Sequence, residues 1–429
     1  MTVRFEEALA ELEGRQPERI VPDLSRIRAL VELLDDPQLA YPTIHVAGTN
    51  GKTTTARIAA SLGCAHGLPT GLYTSPHLLS VTERISVCDE PIPEGEFAEQ
   101  YERLLPFLEL VDGKGERVTY FEVLTALAFL WFADRPVSLA AIEVGMGGRW
   151  DATNVVRGDV VVICEIGLDH PELGSTVAEV AGEKAGVVKE GSVVVCRRQR
   201  PEALAVVEAR CREVGARLLL EDRDFALAER RVAVGGQAIA VRGRHGRYDD
   251  LLLPLFGEHQ ARNAAAAIVA LEALLDRELG EEPVREGLAR ATSPGRVEVA
   301  DRHPLVVLDG AHNPDGARAL AATLRESFAW ERLHLVVGVS ANKDVRGVLE
   351  ALAPLADRAY AAAHSTPRTA PARAVGGVLH ELEVPTEVFD DVPSALAAAR
   401  DSAGEGDLIL VTGSLYTVAD ARRALGRTR

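Results

Sequence analysis

Short runs rich in valine and isoleucine alternate with longer helical patterns along the first half of the chain. Apolar runs of this length, separated by helical segments, predict parallel strands that are covered on both faces. The first half therefore predicts an α/β domain with a mostly parallel sheet. Five runs carry this prediction: Thr43–Ala47, Leu139–Val144, Val160–Glu165, Ser192–Arg197 and Arg217–Leu220.

A second set of such runs begins near residue 304 and predicts a second α/β domain. The turn formers Ser293–Gly295 separate the two sets, so we place a domain boundary there, dividing the chain into 1–295 and 296–429. Between the sets, the alanine- and leucine-rich segment Ala261–Leu279 is predicted to be helical. The runs of the second set are Leu305–Leu308, Leu333–Val339, Arg358–Ala363 and Asp407–Val411.

Composition argues against several classes of protein. The net charge of −17 is spread along the chain, and nonspecific nucleic-acid binding instead needs cations that replace the counterions of the phosphates. The charged N-terminal segment lacks the apolar core of a signal peptide, and no apolar run approaches the roughly 20 residues of a membrane span. We therefore expect a cytoplasmic protein. We also expect it to act as a monomer. The cysteines are odd in number and form no CxxC pair, so we expect reduced thiols rather than disulfides or a zinc site: Cys64, Cys88, Cys164, Cys196 and Cys211.

The strongest local pattern is a strand that runs into a glycine loop and then into a helix, within Thr43–Thr55. Gly48 and Gly51 let backbone N–H groups approach phosphate oxygens, and the helix N-terminus adds its positive end. Lys52 would reach the β- and γ-phosphates, and a threonine hydroxyl would meet Mg²⁺ directly or through water. Val46 occupies the first glycine position of the usual GxxxxGK[ST] pattern, so the alternative is a plain glycine turn with an exposed lysine.

Acidic, histidine and lysine side chains follow further along the first half. Glu143 ends a predicted buried strand, at the sheet edge where ligands usually bind, and its oxygens suit Mg²⁺. Asp169 and His170 follow the next strand at a comparable height, and Lys184 lies in the helical segment Val177–Val188. The alternatives are a solvated strand-end carboxylate, an exposed or structural histidine and a surface Glu-Lys pair.

Two strand-end loops in the second half carry polar groups. Asp309 and His312 lie in the loop Leu308–Gly316, where they would bind a polar substrate. The alternative is a polar turn built from Gly, Asn and Pro. The segment Val411–Tyr416 forms another such loop with small polar side chains.

The order and spacing of these segments resemble the folylpolyglutamate synthase/dihydrofolate synthase family of the Mur ligase superfamily, from about Ile20 to the end of the chain. Residues 42–54 resemble the family's IHVAGTNGK loop, and 73–78 with 83–85 resemble its TSPHL…ERI sequence. So many matches in one order make the resemblance specific. The further matching segments are 121–125, Glu143–Asn154, Gly167–His170, Glu183–Gly186, 259–263, Pro294–Arg296, Asp309–Gly316 and Thr412–Tyr416.

The resemblance implies a P-loop ATPase domain followed by a smaller Rossmann-like domain, with ATP bound between them. In the family, ATP phosphorylates the carboxylate of a folate or pteroate, and the amine of glutamate attacks the acyl phosphate. A free carboxylate is a poor electrophile because its leaving group would be oxide. Two Mg²⁺ ions are expected to neutralise charge on the transferred phosphoryl group. The expected partners are ATP, L-glutamate and dihydropteroate or a folate.

The matching motifs also imply roles for individual residues. Lys184 matches a lysine that the family carbamylates, and His312 matches a residue near the incoming glutamate, so both join Lys52 as candidate catalytic residues. Phe121 and Asp151 fall in segments that contribute to the pterin or pteroate pocket. The candidate Mg²⁺ ligands are Ser75, Glu143 and His170. The candidate nucleotide-binding residues are Gly48, Thr49, Asn50, Gly51, Lys52, Thr53, Thr54, Asn263, Arg296 and Asp309.

Several positions depart from the family pattern but leave the ATPase chemistry intact: Thr53, Thr82, Cys164, Glu165 and Asn342. One alternative is a Mur ligase that acts on another carboxylate, such as a peptidoglycan precursor. Only 47 residues precede Gly48, fewer than the roughly 50 of a small domain, so we expect no additional nucleotide-sugar-binding domain. The other alternative is a noncatalytic phosphate-loop protein, which would need neither the metal-site residues nor a whole second domain.

Overall fold

The computed structural model describes residues 3–17, 19, 21–115 and 117–427, so Ile20 lies outside the described residues. The helices α1–α14 are Phe5–Glu13, Ser25–Leu33, Lys52–Ala65, Glu94–Asp112, Tyr120–Asp134, Val177–Ala185, Pro201–Val214, Glu258–Leu275, Glu281–Ala289, Pro314–Ser327, Val345–Leu352, Ala372–Glu381, Val392–Ser402 and Leu415–Ala424. The strands β1–β17 are Thr43–Ala47, Thr70–Tyr73, Ile85–Val87, Glu90–Pro91, Leu139–Glu143, Val160–Ile163, Val193–Cys196, Arg217–Leu220, Ala226–Ala233, Gly236–Arg242, Arg247–Leu253, Glu298–Arg302, Leu305–Leu308, Leu333–Val337, Arg358–Ala362, Thr386–Phe389 and Leu408–Thr412. Short 3₁₀ helices occur at Pro37–Leu39, Val81–Arg84, Ala152–Val155, Pro171–Leu173 and Ala353–Leu355.

The first unit is built on an eight-stranded sheet with the order β4-β3-β2-β5-β1-β6-β7-β8. The strands from β2 to β8 in this order are parallel, whereas β3 and β4 form an antiparallel edge. All residues of β1 are buried, because helices cover both faces of the sheet. The helix α3 begins just after β1 and packs against α8. This topology brings the glycine loop to the middle of the sheet's carboxyl edge, where ligands bind in such folds.

The second unit is a six-stranded sheet with the order β12-β13-β17-β14-β15-β16, in which only the edge strand β12 pairs antiparallel among the described strands. Helices α10 to α14 belong to this unit. The predicted boundary at residues 295 and 296 falls in the loop between α9 and β12. The predicted fold class, a mostly parallel N-terminal α/β unit followed by a smaller α/β unit, is confirmed. None of the described helices is both long enough and apolar enough to cross a membrane.

The predicted strands are all present, with ends shifted by no more than two residues. The prediction missed the antiparallel sheet of β9, β10 and β11. In β9, Ala226–Ala233 contains only half-buried and exposed positions, so it lacks the continuous apolar run by which the other strands were predicted. The helix predicted at Ala261–Leu279 lies at Glu258–Leu275. It ends early because Asp276 adopts a left-handed conformation with a φ of 48°.

The prediction of reduced thiols is wrong for Cys64 and Cys88, which form a disulfide with a Cα–Cα distance of 5.6 Å. Cys64 lies in the last turn of α3, and Cys88 lies in the exposed turn between β3 and β4. These residues are 24 positions apart and meet only because the β3–β4 hairpin folds beside the end of α3, which no spacing motif reveals. The free, buried cysteines are Cys164, Cys196 and Cys211.

Candidate active site

The loop between β1 and α3 needs glycine at two positions. Gly48 has a φ of +146°, and a Cβ there would lie 2.6 Å from the Cβ of Cys164. Gly51 has a φ of +93°, and a Cβ there would lie 2.5 Å from Oδ1 of Asn263. Other residues therefore meet both backbone strain and a clash. The loop delivers the chain to Lys52, the first residue of α3, whose free N-terminal N–H groups suit a phosphate.

Lys52 and Thr53 begin α3 next to a buried carboxylate. Nζ of Lys52 donates to the carbonyl oxygen of Thr49 at 3.3 Å, and no carboxylate in the described part of the chain forms an ion pair with it. The hydroxyl of Thr53 donates to Oε1 of Glu143 at 2.7 Å, and the backbone N–H of Ser75 donates to Oε2 at 3.1 Å. Glu143 is thus buried and hydrogen bonded, and the alternative of a solvated carboxylate is wrong.

This group is a suitable donor set for Mg²⁺. Burial raises the pKa of the Glu143 carboxyl, while the charge of Lys52 and the hydrogen bond from Thr53 oppose that shift. Glu143 offers carboxylate oxygens beside the hydroxyl of Thr53, and Mg²⁺ prefers oxygen ligands. Across the described residues, no cluster of three or more His, Cys, Asp or Glu side chains is assembled for a metal. Mg²⁺ commonly completes its shell with water and substrate phosphates, so this sparse set still fits the ion.

A cavity of about 190 Å³ lies between the two units and collects most of the predicted site residues. It opens at the carboxyl edges of both parallel sheets. The predicted residues that line it are Thr49, Asn50, Gly51, Lys52, Thr53, Thr54, Ser75, Glu143, His170, Asn263, Arg296, Asp309 and His312. The predicted residues that do not line it are Gly48, Phe121, Asp151 and Lys184.

Asp169 links the two units at one side of this cavity. Its Oδ1 accepts from Nζ of Lys343 at 2.7 Å, and its Oδ2 lies 3.4 Å from Nε2 of His312. Burial raises the pKa of Asp169, but the hydrogen bond from His312 and the charges around it outweigh burial and hold the pKa well below its usual range. Nε2 of His170 faces the same group, 3.3 Å from Asp169 and 3.5 Å from Nζ of Lys343. His312 is therefore placed beside residues of the first unit rather than in an isolated turn.

Lys184 is buried on α6, so the alternative of a surface Glu-Lys pair is wrong for this residue. Its Nζ donates to the carbonyl oxygen of Gly48 at 2.8 Å, directly behind the phosphate loop. Burial, together with the charge of Lys52, lowers the pKa of Lys184 to about 7. The neighbouring Glu183 side chain is partly exposed and lies 3.9 Å from Arg149.

Phe121 and Asp151 meet at Gly145, which itself lines the cavity. A Cβ on Gly145 would lie 2.6 Å from the ring of Phe121 and 3.1 Å from Oδ2 of Asp151. Asp151 is buried and accepts from the backbone N–H of Met146 at 2.8 Å and from the hydroxyl of Thr153 at 2.5 Å. Phe121 and Asp151 therefore lie side by side behind Gly145, although neither residue lines the cavity itself.

In the second unit, Asp309 builds the turn and also faces the cavity. Its carboxylate accepts from the backbone N–H groups of Val297 at 2.9 Å and Ala311 at 2.8 Å. Burial raises the pKa of Asp309, and the charge of Arg296 opposes that shift. Asp309 therefore stabilises the polar turn and also lines the cavity, so the turn alternative does not exclude a role in binding.

Arg197 and His259 also line the cavity but were not predicted as site residues. Arg197 directly follows β7, so the strand-end rule that identified Glu143 would have identified it too. Burial, with the charges of Arg197 and Arg296, lowers the pKa of His259 to about 4. This end of the cavity therefore combines two fixed cations with a neutral imidazole at neutral pH.

Two protein-family models match the chain. The Mur ligase middle domain matches residues 46–271, and the Mur ligase, glutamate ligase domain matches residues 295–415. The dihydrofolate synthase/folylpolyglutamate synthase of Mycobacterium tuberculosis is 42% identical over 97% of this chain and 93% of its own length. The protein of that name from Bacillus subtilis is 33% identical over 99% and 100%.

Solved structures agree with these matches. The Mycobacterium tuberculosis folylpolyglutamate synthase complexed with ADP superposes with a TM-score of 0.95 at 41% identity, covering 99% of this chain and 98% of that one. Escherichia coli FolC in complex with DHPP and ADP superposes with a TM-score of 0.88 at 32% identity, covering 99% and 98%.

Proposed function

The chain belongs to the dihydrofolate synthase/folylpolyglutamate synthase family of Mur ligases, and from that premise we propose that it joins L-glutamate to the carboxyl group of dihydropteroate or a folate. It is an ATP-dependent glutamate ligase. The observation that carries the proposal is the cavity between the units, where the phosphate loop, the buried Glu143 and His312 converge.

The reaction needs activation because hydroxide or oxide is a poor leaving group from a carboxylate. Transfer of the γ-phosphoryl group of ATP to a carboxylate oxygen of the pteroate or folate releases ADP and forms an acyl phosphate. The amine of glutamate then attacks the acyl carbon, the C–O bond to phosphate breaks, and the amine loses a proton. The products are the amide, ADP and inorganic phosphate, which is the usual logic of carboxylate activation by phosphoryl transfer.

The phosphate loop and its surroundings bind ATP in this proposal. The free N–H groups at the start of α3 and the ammonium of Lys52 contact the β- and γ-phosphates. Asn263, Arg296 and Asp309 contact the rest of the nucleotide, as supported by their positions along the cavity. The loop residues that complete the nucleotide site are Gly48, Thr49, Asn50, Gly51, Thr53 and Thr54.

We assign the metal ligands to Ser75, Glu143 and His170, with a carbamylated Lys184 as a further anionic group. Two Mg²⁺ ions, when bound, would neutralise charge on the transferred phosphoryl group. The hydrogen bonds to Glu143 from Thr53 and Ser75 keep that carboxylate oriented. Lys184 would need to exchange its bond to Gly48 for the carbamate, and its lowered pKa of about 7 favours the neutral amine that this modification requires.

The organic substrates occupy opposite sides of the phosphates in this proposal. Phe121 and Asp151, which meet at Gly145, contact the pterin or pteroate, and His312 in the second unit contacts the incoming glutamate. In this proposal, domain 1–295 supplies the pterin or pteroate side and domain 296–429 supplies the glutamate side. We further propose that the enzyme acts as a cytoplasmic monomer on small molecules and binds no nucleic acid or membrane.

A phosphate-release assay tests the function directly. The purified protein is mixed with ATP, Mg²⁺ and glutamate, and dihydropteroate is compared with reduced folates as the acceptor. We expect phosphate release that requires both glutamate and an acceptor, with the ligated product identified by mass spectrometry. Phosphate release that is independent of both, or none with any pteroate or folate, would contradict the proposal.

A further inference from the structure

Arg197 lies in the wall of the cavity and touches Asn263. It directly follows β7 and is only 5% exposed. Its Nη1 donates to Oδ1 of Asn263 at 2.6 Å, a short hydrogen bond between a charged donor and an amide. Its Nε is buried without a hydrogen bond among the described residues.

This contact decides which way the amide of Asn263 points. A guanidinium carries only donors, so Asn263 must turn its oxygen towards Arg197. Its Nδ2 then donates to Oε1 of Gln260 at 2.9 Å, so the orientation passes to a second amide. Oδ1 of Asn263 also lies against Gly51 of the phosphate loop. The Asn263 carboxamide, which borders the phosphate loop, is therefore held in a single orientation, with its oxygen towards Arg197 and its nitrogen towards Gln260.

A buried carboxylate holds Arg197 in place. Glu221 has a fully buried side chain, and its Oε2 lies 3.9 Å from Nε of Arg197. The same carboxylate accepts from Nη1 of Arg262 at 2.7 Å and from the backbone N–H of Arg198 at 2.7 Å. Arg197 and Arg262 thus share one counter-ion, but Arg262 does not line the cavity. Both arginines pair with Glu221, but Arg197 alone of the two is hydrogen bonded to Asn263, so substituting each in turn distinguishes the effect of the ion pair from the effect of that hydrogen bond.

An oriented carboxamide distinguishes adenine from guanine. It accepts from the 6-amino group of adenine and donates to N7, whereas guanine presents two acceptors, O6 and N7, to the same amide. Oδ1 of Asn263 retains a second lone pair for such a contact. We propose that Arg197 is a positioning residue that fixes the sense of the Asn263 amide and thereby favours adenine over guanine nucleotides. This inference rests on the proposed binding of ATP at Asn263.

The test compares equilibrium binding of ADP and GDP by calorimetry. Arg197→Met should weaken ADP binding roughly tenfold or more, the effect of losing a hydrogen bond to a charged group, and weaken GDP binding much less. The preference for ADP should therefore fall, and Arg197→Lys should retain part of it. In turnover, KM for ATP should rise more than kcat falls. Arg262→Met is the matched control, because it removes the other partner of Glu221 and should keep the wild-type ratio.

Several outcomes would overturn the inference. One is an unchanged ratio of ADP to GDP affinity in an Arg197→Met variant that has wild-type circular dichroism. Another is a fall in that ratio in Arg262→Met that equals the fall in Arg197→Met. A double-mutant cycle with Asn263→Ala adds a further criterion. If Arg197 acts through Asn263, Arg197→Met should not change the ratio of ADP to GDP affinity in protein that already carries Asn263→Ala, and a further change there would also overturn the inference. If the wild-type protein binds ADP normally, these results leave the proposed ligase function intact. If it binds neither nucleotide, both the function and the inference fail.

Discussion

Asn50 and Asn313 exchange side-chain hydrogen bonds across the boundary between the two units. Nδ2 of Asn313 donates to Oδ1 of Asn50 at 3.0 Å, and Nδ2 of Asn50 donates to Oδ1 of Asn313 at 3.4 Å. Asn50 belongs to the phosphate loop, and Asn313 is the N-cap of α10, where its Oδ1 also accepts from Gly316 N–H at 2.8 Å. The second unit is therefore attached directly to the proposed nucleotide site.

Two substitutions of Asn313 should distinguish its role as the N-cap of α10 from its role in linking the two units. Asn313→Ala loses both, and we expect it to lower the free energy of unfolding by about 1 kcal/mol, the usual effect of losing an N-cap, and to reduce kcat/KM for ATP. Asn313→Ser keeps a capping hydroxyl but is too short for the bond to Asn50, so stability should recover while activity stays low. Thermal denaturation and steady-state kinetics on both variants measure this. Full activity in a well-folded Asn313→Ser variant would contradict a role for the link.

Lys52→Ala should abolish turnover and leave the fold intact. The only bond of Lys52 among the described residues is a 3.3 Å contact with the carbonyl of Thr49, so its loss should affect stability little. Loss of a preorganised group that stabilises transition-state charge usually costs roughly 10²–10³-fold in kcat. The phosphate-release assay and a thermal melt measure the two effects. Near-normal catalysis by the folded variant would contradict the assignment of the nucleotide site.

Much of this site was predictable because parallel strands deliver their last residues to one edge of a sheet. Glu143 and Asp309 were identified in that way, and the glycine loop before Lys52 has a recognisable pattern. Arg197 also follows a strand directly, so the same rule applies to it, but a single arginine at that place belongs to no motif that would have marked it as part of a site. The burial of Lys184 and the disulfide of Cys64 also depend on tertiary packing between segments far apart in sequence, which local patterns do not encode.

The disulfide between Cys64 and Cys88 should stabilise the protein. Closing a loop between residues 24 apart is expected to contribute about 3 kcal/mol through the entropy of the unfolded chain. Reduction should therefore lower the melting temperature of the wild-type protein, and Cys88→Ser should melt at that lower temperature with or without reductant. Thiol titration of the denatured, unreduced protein should find Cys164, Cys196 and Cys211 only. Five reactive thiols in that titration, after purification without reductant, would contradict the pairing.

His312→Ala should affect glutamate more than ATP. The ring sits in the second unit, with Nδ1 donating to the carbonyl of Gly310 at 2.9 Å and Nε2 near Asp169. We expect a higher KM for glutamate or a slower amide-forming step, with ADP affinity largely retained. His380→Ala, on the exposed surface of the same unit, is the control and should behave like wild type. A large loss of ADP affinity with unchanged glutamate kinetics would contradict this role and would assign His312 to the nucleotide site instead.

Lys184 should be carbamylated in the active enzyme. Two Mg²⁺ ions beside the triphosphate would repel an ammonium group, whereas a carbamate supplies hard oxygen donors. Burial and the charge of Lys52 lower the pKa of Lys184 to about 7, so the amine is protonated below that pH and becomes neutral as the pH rises through it. Only the neutral amine reacts with carbon dioxide. Activation by added bicarbonate should therefore be stronger at about pH 8 than at about pH 6.

Chemical rescue distinguishes this modification from a structural role for the lysine. Lys184→Ala should lose most activity, and short carboxylic acids should restore part of it by replacing the missing carboxylate group. Lys189 is the matched comparison, because it is a half-buried lysine with a pKa lowered to about 8, but its Nζ donates to the carbonyl of Asn154 at 3.0 Å, away from the cavity. Acids should not rescue Lys189→Ala, whatever its stability. A crystal structure of an active, nucleotide-bound form with an unmodified Lys184 pointing away from the metals would exclude the carbamate.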